Sequence, residues 1–165
     1  MRKLLMGAVL SLGLLVLHSG VASAQTSDTA TVTYEVQAVT LLDLTGSASV
    51  TIDSGTVGVS LTDDEDTSGV TYAITNNAGT DSKKLVGSLS AVPTSPTTLS
   101  VNVSAPSGAT SVGYLELTTS AQDLVTGIDN LAATGVGIAF KLHSTVDAGI
   151  VSSTNTTFTL TIVGS

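Results

Sequence analysis

The chain has 165 residues, no cysteine, no tryptophan, five Lys or Arg against 13 Asp or Glu, and a formal net charge of −8. Without thiols it builds no disulfide, no thiolate metal site and no cysteine nucleophile. Its acidity argues against nucleic acid and anionic membrane surfaces as partners, since both are themselves negatively charged.

The N-terminus reads as an export signal. Arg2 and Lys3 precede an apolar run from Leu4 to Leu17, and Ala22-Ser23-Ala24 forms an A-x-A cleavage site. The run falls short of the ~20 residues that span a bilayer. Residues 1–24 are therefore expected to be a cleaved signal peptide, with Ala22 and Ala24 set for the peptidase and Gln25 as the first mature residue. That places the protein outside the cytoplasm, secreted or in the cell envelope, with no membrane span after cleavage. No cysteine stands at the cleavage point to take a lipid. Residues 25–165 have the length of one domain. They retain three lysines (Lys83, Lys84 and Lys141) against all thirteen acids, a net charge of −10.

Beyond Gln25 the dominant period is two. Thr31 to Val39 places Val32, Tyr34, Val36 and Ala38 on one face, the pattern of a half-buried strand. Ala48–Ile52, Val57–Leu61, Val70–Thr75, Lys84–Leu89, Leu99–Val103, Tyr114–Thr118, Gly137–His143 and Thr157–Val163 follow, separated by Gly, Pro, Asn, Asp and Ser clusters. About nine short strands at this spacing predict an all-β, antiparallel sandwich, Ig-like or jelly-roll-like. One segment departs from the rhythm. Ser120 and Asp123 have N-cap spacing, and Leu124, Ile128 and Leu131 fall on one helical face, so a short helix is expected near residues 120–131.

Candidate chemistry is sparse. Asp63-Asp64-Glu65-Asp66 is the densest acidic run. Closely spaced carboxylates on a loop suit calcium, which takes six to eight oxygens. The run lacks the spacing of an EF-hand, so the solvated acidic turn between two strands is the expected reading and a weak calcium site the alternative. No other cofactor is indicated. His143 is the one histidine after the signal, out of phase with Phe140 and Leu142 and so on a solvent face. No G-x-S-x-G elbow is present. No catalytic residue is nominated, and the chain is not expected to be an enzyme.

Three stretches carry a family likeness: Thr29-Ala30-Thr31-Val32-Thr33-Tyr34 after the signal, the acidic run leading to Val70-Thr71-Tyr72-Ala73-Ile74-Thr75-Asn76, and the end from Phe140-Lys141-Leu142 through Val146-Asp147-Ala148-Gly149 to Thr157-Phe158-Thr159-Leu160-Thr161-Ile162-Val163. Together they resemble small, cysteine-free, Ser/Thr-rich exported β-sandwich proteins of prokaryotic cell surfaces, pilus and matrix-fibre subunits among them. The resemblance implies a structural role with self-association. In that reading Thr31, Val32, Thr33, Tyr34 and Val36 donate a strand to a neighbour's sheet; in the other they form the first strand of their own sandwich. A binding module for a small ligand, cation or partner protein is the alternative function.

Overall fold

Val, Ile and Thr dominate the apolar runs, and their stiff side chains suit a pleated surface. The computed structural model describes residues 27–79 and 81–165. The signal and its cleavage residues Ala22, Ala24 and Gln25 lie outside them. The chain divides into two units, residues 1–35 and residues 36–165. Of the first, Ser27–Glu35 is described: it forms no strand and every residue is exposed.

Among its described residues the second unit holds eleven strands: β1 (Thr40–Gly46), β2 (Gly55–Thr56), β3 (Ser60–Leu61), β4 (Asp64–Asn76), β5 (Lys83–Leu89), β6 (Thr98–Val103), β7 (Thr110–Ser111), β8 (Leu115–Glu116), β9 (Gln122–Ile128), β10 (Leu131–His143) and β11 (Phe158–Gly164). One sheet has the order β1-β4-β10-β6-β8, a second β11-β5-β9-β7, and β2-β3 is a separate hairpin. Every ladder is antiparallel. The only helical element among the described residues is a 3₁₀ turn at Val146–Ala148.

The sheets pack face to face through one core. Val70, Tyr72 and Ile74 of β4, Ile138 and Phe140 of β10, and Leu99, Val101 and Val103 of β6 meet Leu85 and Leu89 of β5 and Leu124, Val125 and Ile128 of β9. Each such side chain contributes about 1.5–3 kcal/mol by leaving water. Gly87 is a close-approach position. A Cβ there would lie 2.4 Å from Leu124 Cδ1 and 2.8 Å from Phe158 Cε2. The missing side chain lets Phe158 sit down and meet Phe140 edge to face, at 5.3 Å between centroids.

Three expectations need correction. The helix near residues 120–131 is strand β9. Along the β5–β9 ladder, Leu85 pairs Val125 while Val86 pairs Asp123, so Leu124 is bulged out of register. A second shift lies between Val125 and Ile128, where Gly127 adopts φ +71°. Two bulges bury Leu124, Val125 and Ile128 together and imitate a helical spacing. The run Thr31–Val39 belongs to no strand, and neither does Ala48–Ile52, while Val57–Val59 is the turn between β2 and β3 rather than part of one strand to Leu61. Finally, Asp64, Glu65 and Asp66 lie within β4 rather than on a loop.

Each sheet has one long and one short edge strand. β8 and β7 have two residues each; β1 and β11 have seven each. β1 and β11 are neighbours between the sheets.

Candidate functional site

β4 is half acidic and half apolar, and its acidic half is held by β10: Asp64 pairs Leu142, Glu65 pairs Lys141 and Asp66 pairs Phe140. Strand geometry sends alternate side chains to opposite faces, so Asp64 and Asp66 share a face that Glu65 does not. Between Ile138 and Phe140 the register shifts, and Thr67, Ser68 and Gly69 stand against Ala139 alone. Such a bulge leaves backbone donors without ladder partners. Asp66 supplies the acceptor: its Oδ1 receives the Ser68 N–H at 3.1 Å and the Gly69 N–H at 2.8 Å. Its Oδ2 receives the Ser49 N–H at 3.1 Å. These backbone hydrogen bonds, Ser49 first, hold the Asp66 carboxyl below its ordinary value.

Asp64 acts in the same way, accepting the Thr51 N–H at 2.6 Å. With the Ser47 N–H donating to Gly69 O, segment 47–52 is strapped along the first half of β4 by side-chain carboxylates in place of a ladder. Asp63 Oδ1 lies 2.6 Å from His143 Nδ1, on the exposed surface. Glu65 accepts the Tyr114 hydroxyl, and Lys141 Nζ sits 4.6 Å from the Tyr114 ring centroid. Partial burial, then the Glu65 hydrogen bond and charge, push the Tyr114 phenol up to about 12. Each of the four candidate calcium ligands thus has its own protein partner. Among the described residues no three His, Cys, Asp or Glu converge as a metal site. The pairings of Asp63 with His143 and Glu65 with Tyr114 span 80 and 49 residues, and no local pattern announces them.

The sandwich also carries a shallow depression of about 490 Å³ over β1, β4 and β10. It is lined by Leu42, Ile74 and Ala133 among others, and Asp43 is its only carboxylate. A single acid without a second titratable group offers no acid–base pair.

The strand-donation residues present a different geometry. From Ser27 to Leu41 every residue is exposed, with Val32 at 78%, Tyr34 at 88% and Val36 at 83%. Asn77 marks where this segment joins the sandwich. Its side chain accepts the Val39 N–H and donates to Gln37 O at 3.1 Å, while its own N–H donates to Val39 O at 3.0 Å. β4 ends at Asn76, opposite Thr40. Among the described residues no helix is long and apolar enough to cross a membrane. The chain matches no protein-family model, no curated protein and no solved structure.

Proposed function

We propose that this is an exported structural protein of the cell surface that assembles with copies of itself, and that residues 29–39 supply the joining strand. One observation carries the reading. An alternating segment with an apolar face of Val32, Tyr34, Val36 and Ala38 lies wholly in water. A face of that kind, left exposed on an extended segment, marks an interaction site. An extended segment gains main-chain hydrogen bonds when it adds to a sheet edge, and alternate side chains set its register. The export signal and the Thr/Val-rich sandwich support the location and the structural role. The carboxylates of Asp63–Asp66 each have a partner within the protein, which favours this reading over a cation-binding loop.

The test is size-exclusion chromatography with light scattering on the full chain, then negative-stain microscopy of the same fractions. Wild type is expected to form oligomers or fibres, and the double variant Val32→Lys, Tyr34→Lys a single-chain species. A wild type that stays monomeric at high concentration refutes the proposal.

A further inference from the structure

We infer that the strand acceptor is the β11 edge of a second copy, and that residues 29–36 of one chain lie along Phe158–Gly164 of the next. The inference rests on the self-assembly reading and names its surface. Among the described residues β11 is paired on one side only, to β5 over seven residues. Thr157 O accepts the Ser90 N–H, and the Ser165 N–H donates to Ser82 O. In an antiparallel ladder the alternate residues Phe158, Leu160 and Ile162 then direct their N–H and C=O groups away from β5. That open row is a template for another strand.

The devices that usually guard such an edge are missing. β11 reads FTLTIVG, with no charge, no proline and no bulge along β5. Its core-facing Phe158, Leu160 and Ile162 are only half-buried. The other long edge, β1, carries Asp43. In a mature chain of net charge −10, the donor stretch 29–36 carries one charge, Glu35, and β11 none, so these are stretches where two copies meet with little repulsion. The lengths agree: at about 3.3 Å per residue, eight donor residues span about 26 Å and seven acceptor residues about 23 Å. The phase agrees too. With Val32, Tyr34 and Val36 continuing the face of Phe158, Leu160 and Ile162, Thr31 and Thr33 fall on the face of the exposed Thr159 and Thr161.

That last juxtaposition gives the test, because the chain has no cysteine of its own. Full chains carrying Thr31→Cys or Thr33→Cys are co-expressed with chains carrying Thr159→Cys, Thr161→Cys or, on β1, Thr45→Cys. Links are mapped by mass spectrometry after mild oxidation. Cross-strand neighbours stand close enough for a disulfide, and residues on different edges do not. Most of the linked product is expected to join Thr31 or Thr33 to Thr159 or Thr161. Links confined to Thr45 overturn the β11 assignment and leave strand addition standing. The same holds if no links form while Val32→Lys, Tyr34→Lys still abolishes assembly. Loss of all association in the wild type overturns both.

Discussion

Residues 31–36 and the first five residues of β11 read almost alike: TVTYEV against FTLTI, each alternating an aromatic or branched residue with a polar one. Their fates differ. In β11, Phe158, Leu160 and Ile162 are half-buried against the core, while Val32, Tyr34 and Val36 are exposed. Alternation records which face of a segment suits burial. Whether a strand lies ready beside it is decided elsewhere in the chain, here by β5, which offers β11 an uninterrupted register.

The largest effects are expected where β11 enters the core. Phe158→Ala removes a half-buried ring, its edge-to-face contact with Phe140 and its cover over Gly87. Full burial of a Phe makes that change worth ~3–5 kcal/mol, so about 2–3 kcal/mol is expected for this partly covered ring, read as a lowered urea midpoint. Gly87→Ala attacks the same contact from below. The added methyl meets Leu124 and Phe158 well inside van der Waals distance, and overpacking of this kind costs about 1–3 kcal/mol. A Gly87→Ala chain as stable as wild type contradicts the close packing of β11 on β5.

Most of the sandwich was legible because its strands are apolar on one face. Val70–Thr75, Lys84–Leu89, Leu99–Val103 and Gly137–His143 all fall inside strands β4, β5, β6 and β10. What was hidden has a physical reason in each case. Bulges around Leu124 and Gly127 break the period of two in β9. The first half of β4 buries little and is held by backbone pairing to β10 and by carboxylates that accept backbone N–H groups, so hydrophobic patterning passes over it. The acidic run was conspicuous as a cluster, yet alternation along a strand separates its members, and their partners come from distant segments. The free edge of β11 belongs to strand order, which no local pattern encodes.

A smaller effect separates core from surface at Tyr72. Its ring is buried, its hydroxyl donates to Ser104 O at 2.6 Å, and burial pushes the phenol up to about 12. Tyr72→Phe keeps the ring and strands the carbonyl, a loss of about 1 kcal/mol in denaturant unfolding. Smaller again is the strap on Asp66. Its folded carboxyl lies below the ordinary 3.8, so the charged form is favoured by folding. The strap's contribution is therefore complete above that value and is lost as pH falls through the lower folded one. In an acid titration by NMR, the amide signals of Ser49, Ser68 and Gly69 should move together with a midpoint below 3.8. Asp66→Asn should abolish that shared transition, and independent midpoints would show that one carboxylate does not join the three.

The smallest effect on folding is expected at Tyr34, and there it is most informative. Tyr34 is 88% exposed and its segment belongs to no strand. Substitutions of such surface residues usually change stability by no more than about 0.5 kcal/mol. Tyr34→Ala should therefore unfold in urea with the wild-type midpoint when measured at a concentration low enough to keep both chains monomeric. At high concentration the two should part: the variant should scatter less light, because the ring is the largest apolar side chain on the donor face and aromatic anchors carry much of an interface's energy. Phe158→Ala reverses the order, lowering stability in the isolated chain before any assembly is involved. If Tyr34→Ala instead unfolds early in dilute solution, the segment is already packed within its own chain. The contrast between the two alternating stretches then disappears, and self-assembly through residues 29–39 disappears with it.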